Sequence, residues 1–162
     1  HEHRAAVGAE GLITGNGLAF SADGGTMFMS DSHPNVQRIW AFDLDADGVP
    51  SKRREFVDMN AHPGRPDGAA LDADGGYWIC ANDAGLVLRF RPDGRLDRSL
   101  EVPVSKPSMC AFGGPELDQM FITSITPGRP ADGCDAALDG AVFVTRPGVR
   151  GIAETPFNPR VH

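Results

Sequence analysis

The sequence predicts an all-β repeat fold, and three observations carry the prediction. Residues 16 to 31 read Asn-Gly-Leu-Ala-Phe-Ser-Ala-Asp-Gly-Gly-Thr-Met-Phe-Met-Ser-Asp, and residues 67 to 82 read Asp-Gly-Ala-Ala-Leu-Asp-Ala-Asp-Gly-Gly-Tyr-Trp-Ile-Cys-Ala-Asn. The two align without a gap, and each is an apolar run, an Asp-Gly-Gly turn and a second apolar run, which is the pattern of a β-hairpin. A third, weaker copy starts at Ser108: Met109-Cys110-Ala111-Phe112, a Gly-Gly-Pro loop, then Gln119 to Ser124. The copies begin 51 residues apart (16 to 67) and then 41 apart (67 to 108). Repeats of about 40–50 residues built from short strands mark propeller blades. Finally, 20 Gly and 13 Pro with few long helical patterns punctuate the chain as an all-β protein.

Taken in order, residues 4–13 are expected as a leading strand of a preceding blade, with 1–13 as its segment. First-blade strands follow at 17–21, 26–31, 38–44 and 54–58. In the third of these, Ile39, Ala41 and Asp43 share one face, and Trp40, Phe42 and Leu44 the other. A loop, Asn60-Ala61-His62-Pro63-Gly64-Arg65-Pro66, leads into the second copy, whose strands fall at 68–72, 77–82, 86–91 and 98–103. The third blade uses 109–112, 119–124, 141–145 and a short fourth run at 151–155, with a long Pro-, Gly- and Asp-rich loop from Thr126 to Gly140. The expectation is one domain of three four-stranded blades, at 16–66, 67–106 and 107–157. Three blades do not close a ring, since propellers have about four to eight, and open strand edges are a liability. The chain therefore reads as half of a propeller. A missing N-terminal half or a second copy of the chain is expected to complete it.

Composition narrows the function. At 162 residues the chain is long enough to bury a core. A net charge of −7 argues against nucleic acid, which needs a basic stripe. No apolar run is long enough to cross a membrane as a helix, and no secretory signal opens the chain. Cys80, Cys110 and Cys134 form an odd set without Cys-x-x-Cys spacing, and the first two sit in apolar runs. Free thiols in a reducing cytoplasm are expected.

In a propeller the starts of the innermost strands converge on the central channel, and the repeat alignment names them: Asn16, Asp67 and Ser108. Asn16 and Asp67 offer a neutral carbonyl and a carboxylate, the oxygen ligands that hard divalent cations take. The plainer alternative is that Asn16-Gly17 and Asp67-Gly68 are turn dipeptides.

Several phrases resemble the gluconolactonase/regucalcin family, also called senescence marker proteins. They are Gly-Asn-Gly-Leu-Ala-Phe-Ser-Ala-Asp-Gly (15–24), Arg-Pro-Asp-Gly-Ala-Ala-Leu-Asp-Ala-Asp-Gly (65–75), Leu-Val-Leu-Arg-Phe-Arg-Pro-Asp-Gly (86–94), Cys-Ala-Phe-Gly-Gly-Pro (110–115), and the tail at 140–144 and 148–151. The likeness runs from about residue 12 to 157 and is to the second half of a family member. It implies a six-bladed propeller carrying one divalent cation and hydrolysing sugar lactones. It implies Asn16 and Asp67 as two metal ligands and Asp67 also as a catalytic carboxylate. The cation is expected to be Ca2+ or Zn2+, with Mn2+, Mg2+ and Fe2+ as alternatives. The family's first-blade Glu ligand and its sugar-contacting residues have no counterpart here, so no substrate-binding residue is assigned. A non-catalytic cation-binding or interaction propeller is the rival reading.

Other features read as structural. Asp43-Leu44-Asp45-Ala46-Asp47-Gly48 opens like an EF-hand loop, but Arg54 stands where the closing acid belongs, so a solvated hairpin turn is expected. Gly15-Asn16-Gly17 lacks the rest of a dinucleotide fingerprint. His33 and His62 precede prolines in loops and are expected at the surface or rim, with His62 the nearer to a ligand. Lys106 is expected in solvent. Trp40 and Trp78 are expected to pack between blades.

Overall fold

In the computed structural model, which describes residues 7–127 and 136–154, the strands stack as three antiparallel sheets. The first sheet holds β1 (Gly15–Phe20), β2 (Thr26–Asp31), β3 (Arg38–Leu44) and β4 (Pro50–Asp58) in that order. The second holds β5 (Arg65–Leu71), β6 (Tyr77–Asn82), β7 (Leu86–Phe90) and β8 (Leu96–Glu101). The third runs β9 (Pro107–Gly113), β10 (Gln119–Ser124) and β11 (Val142–Thr145). Each sheet is an antiparallel meander; short turns join the strands of the first two sheets, residues 125–141 separate β10 from β11, and no α-helix forms among the described residues.

The second sheet is the middle layer, and β6 shows why. Its residues Tyr-Trp-Ile-Cys-Ala-Asn lack the polar alternation of a half-solvated strand, and all six are buried. Such a run needs cover on both faces. Tyr77, Ile79 and Ala81 point into a cluster with Phe28, Ile39, Val57 and Met59 of the first sheet side. Trp78 and Cys80, on the other face, meet Cys110, Met120 and Ile122 of the third sheet. Cys80 and Cys110 are free and buried there, as expected of small apolar side chains. Cys134 lies outside the described residues.

Three sequence expectations change. Residues 7–13 form no strand; instead the Ile13 and Thr14 N–H groups donate to the buried Asp31 carboxylate at 2.8 and 3.1 Å, which fixes the entry to β1. β4 begins at Pro50, ahead of the expected 54, because Asp45 Oδ1 accepts the Asp47 and Val49 N–H groups and closes a tight turn. The stretch after β11 adds no fourth strand to the third sheet within 151–154. Gly151 bridges Asp72 of the second sheet, and the Ala73 N–H donates to Arg150 O at 2.8 Å.

Asp72 anchors that crossing. Its carboxylate is fully buried and takes Arg89 Nε at 2.7 Å, Trp78 Nε1 at 2.7 Å and the Gly76 N–H at 2.8 Å. Arg89 reaches on to Asp97 at 2.9 Å. With every lone pair of this kind met, a buried ion pair is tolerated, whereas removal of one partner strands a charge. Arg89→Leu is expected to lower stability by about 3–5 kcal/mol, read as a drop in the urea midpoint. Asp97 supplies a pH signature. Hydrogen bonds from Arg98 first, then Arg91 and Arg89, outweigh its burial and hold its carboxyl down at about 2. Because the folded value is depressed, its contribution is complete above the unfolded carboxylate range and is lost as pH falls from about 4 toward 2. Asp97→Asn is expected to flatten the urea midpoint against pH in that window.

Candidate functional site

Two strand starts build the site. β1 and β5 each carry a register shift just after their first residues, between Asn16 and Ala19 and between Pro66 and Ala69. Such a bulge bends the strand and re-aims a side chain. Asn16-Gly17 and Asp67-Gly68 are therefore bulge positions inside strands and not turn dipeptides. The glycines are where neighbouring sheets touch. A Cβ at Gly17, which has φ +57, would lie 2.6 Å from Tyr77 Oη and 2.7 Å from Ser30 Oγ. One at Gly68 would lie 2.6 Å from Ser108 O and 2.4 Å from Met109 Sδ. Tyr77 Oη donates to Gly17 O at 2.6 Å, and burial pushes its phenol well above the usual range, so it stays a donor.

This approach brings Asn16 and Asp67 together. Asn16 Nδ2 donates to Asp67 Oδ1 at 2.6 Å, while Asn16 Oδ1 accepts the Gly17 N–H at 3.0 Å. Asn82, at the end of β6, donates through Nδ2 to Asp67 Oδ2 at 3.0 Å and to Pro107 O at 3.2 Å. Half-burial lifts the Asp67 carboxyl above its usual range, partly offset by the two amides. All three side chains line an open cleft of about 410 Å³, with Arg65 and Lys106 on its wall.

The donor set suits a hard divalent cation. A half-turn of the Asn16 amide, at the loss of the Gly17 contact, puts its oxygen where Nδ2 now lies, 2.6 Å from Asp67 Oδ1. Two oxygens so placed would both be available to one ion. Among the described residues no group of three His, Cys, Asp or Glu side chains forms, so the pair supplies two oxygens of a coordination sphere and not a complete one.

Other sequence expectations divide. Ser108 does not join the pair; its hydroxyl lies 2.9 Å from Thr123 Oγ1. His62 packs edge-on against Phe90, ring centroids 5.0 Å apart, away from the cleft. His33 Nδ1 accepts the Asn35 N–H in its own turn. Lys106 is not free in solvent: it pairs with Asp83, which also takes Arg65 Nε at 2.7 Å. Burial opposes the Asp83 charge, but Lys106 and Arg65 hold its carboxyl below the usual range. Trp78 packs between sheets as expected, whereas Trp40 is covered by Arg53, whose guanidinium carbon lies 3.9 Å from the ring centre. The EF-hand look-alike is a hairpin turn, its Asp43 paired with Lys52 and Arg54. Asn82, Asp83 and Arg65 carried no assignment in the sequence. The one available signal was Asn82, a polar residue closing an otherwise apolar strand at the repeat position of Asp31.

Fold and site define an all-β protein of repeated antiparallel sheets, two of whose first strands carry Asn16 and Asp67 into one polar cleft. Residues 1–126 match the family model described as the SMP-30/gluconolactonase/LRE-like region, and the chain belongs to that family. A 6-deoxy-6-sulfogluconolactonase of Pseudomonas putida is 43% identical over 160 residues, covering 96% of this chain and 54% of that protein. The calcium-binding protein regucalcin of Agrobacterium tumefaciens superposes with a TM-score of 0.75 at 29% identity, over 88% of this chain and 48% of that one. A gluconolactonase of Xanthomonas campestris gives a TM-score of 0.59 at 34% identity, over 69% of this chain and 35% of that one. The chain thus spans about half the length of the relatives it matches.

Tyr77→Phe keeps the core volume but leaves Gly17 O without its buried donor. A loss of about 1–3 kcal/mol in urea unfolding is expected.

Proposed function

We propose that this chain forms part of a metal-dependent hydrolase that opens a sugar lactone, with Asn16 and Asp67 holding one divalent cation. The observation that carries the reading is the meeting of these two side chains, 2.6 Å apart across two sheets, in one cleft. The family membership and the lactonase relatives support it. The oxygen donors favour calcium over zinc. In this reading the three repeats, 16–66, 67–106 and 107–157, are consecutive blades of a six-bladed ring. The remaining blades come from more of the same polypeptide or from a second copy.

When bound, the cation supplies polarisation of the lactone carbonyl and stabilisation of the oxyanion formed there. Asn16 holds one side of the cleft and orients the ring. Asp67 faces Asn16 through Oδ1 and Asn82 through Oδ2, so its plane is fixed. Coordination to a cation would lower its basicity, so its part in taking the proton from the attacking water is secondary to its part as a ligand. Asn82 keeps the carboxylate aimed, since its amide is itself braced by Pro107 O.

Acid release from δ-gluconolactone, with calcium, zinc, manganese, magnesium or iron added singly, is the test. Hydrolysis is expected to require a cation, to stop with chelator, and to fall by about 100-fold or more in Asp67→Ala. Calcium binding without turnover of any lactone would instead establish the non-catalytic cation-binding module.

A further inference from the structure

Resting on the lactone-hydrolase reading, we propose that Arg65 and Lys106 form a subsite for an oxyanion substituent, a sulfonate or a phosphate, carried by the lactone away from its ring carbonyl. Both line the cleft that holds Asn16 and Asp67. Arg65 is the first residue of β5 and stands two before Asp67. Both side chains line the one cleft, and two residues of extended chain set them roughly 6–7 Å apart along the backbone. That is a span a hexonolactone bridges between its carbonyl and its far carbon.

The charges leave room for an anion. Arg65 and Lys106 share a single carboxylate, Asp83, so this wall carries one more positive charge than negative. Arg65 uses only Nε for that pairing. Its two terminal nitrogens have no protein partner among the described residues, and they form the fork that takes an oxyanion with two parallel hydrogen bonds. The Lys106 ammonium adds a point charge beside it. The side chains are 41% and 26% exposed, reachable from solvent yet sheltered from full screening. In a chain of net charge −7 such a surplus runs against the overall balance. Asp83 itself sits at φ +77, a left-handed conformation uncommon for a non-glycine residue, in the turn that follows β6. The turn thus holds the carboxylate in place to align both cations without consuming them.

A bracing role for Arg65 and Lys106 predicts equal damage to every substrate, and an anion subsite predicts selective damage. Kinetics are measured for wild type, Arg65→Gln, Arg65→Lys and Lys106→Gln on δ-gluconolactone and on its 6-deoxy-6-sulfo and 6-phospho counterparts. Arg65→Gln and Lys106→Gln are expected to lower kcat/KM for an anionic lactone by about 10–100-fold, mainly through KM, with less than about a 3-fold change for the neutral one. Arg65→Lys should recover part of the loss. The two anionic substrates decide between sulfonate and phosphate. Equal losses on neutral and anionic lactones, or no wild-type preference for either anion, would overturn the subsite. Should no lactone be hydrolysed, the hydrolase reading fails separately, and calorimetric titration with 6-deoxy-6-sulfoglucose against glucose decides the subsite. Tighter binding of the sulfonated sugar that Arg65→Gln abolishes supports it; no preference, or one that Arg65→Gln leaves intact, rejects it.

Discussion

The close approach of the first strands of neighbouring sheets, β1 to β5 and β5 to β9, governs the rest of the molecule. Gly17 and Gly68 occupy the points where one sheet's first strand meets its neighbour, and neither leaves space for a Cβ. The contact is possible only because the bulges beside these glycines turn the strand starts. Side chains that precede the contact, Asn16 and Asp67, are carried into the same space by the same geometry. Packing and site are therefore one feature. Tyr77 joins them, since a single residue of β6 fills the first sheet interface and holds the Gly17 carbonyl.

The opposite end of β5 does different work. Directly after Leu71, Asp72 gathers Arg89, Trp78 and a turn amide in a buried network, and Gly151 pairs with it from beyond the third sheet. A buried carboxylate with a full set of donors adds specificity of arrangement more than net stability. One strand thus has a rigid, satisfied end that locks the middle sheet to the tail. Its other end leaves a carboxylate held only by neutral amides. The contrast between Asp72 and Asp67, five residues apart, separates a structural acid from one open to chemistry.

Much of this was legible in the sequence because the repeats repeat their chemistry. The alignment of 16–31 on 67–82 placed β2 and β6 to the residue, while β1 and β5 start two and three residues ahead of the expected 17 and 68, and it paired Asn16 with Asp67. The apolar run of β6 read in the sequence only as one arm of a hairpin; its burial on both faces is a finding of the structure. What escaped depended on contacts between elements. Ser108 aligned with the pair, and the third sheet's register shift falls at it, between Pro107 and Met109, yet its hydroxyl pairs with Thr123 across the hairpin. Asn82 and Asp83 are neighbours where β6 ends, Lys106 stands just ahead of β9, and no periodicity links the two places. Trp40 read as packing, but Arg53 across the hairpin claimed its ring.

The disposition of Arg65 shows how the cleft keeps its acid available. Two residues before Asp67 on one strand, it is the natural cation to neutralise that carboxylate. Its Nε instead pairs with Asp83 at 2.7 Å, and its influence on Asp67 is confined to a weak field. Had Arg65 closed on Asp67, the charge a dication requires would already be spent within the protein. Asp83 diverts the guanidinium, and Asn16 and Asn82 give Asp67 neutral donors that yield readily to a cation. The arrangement leaves a half-buried carboxylate with raised proton affinity, next to an amide whose oxygen can turn toward the same point. A proton or a hard cation can meet the unsatisfied charge, and the oxygen geometry favours the cation.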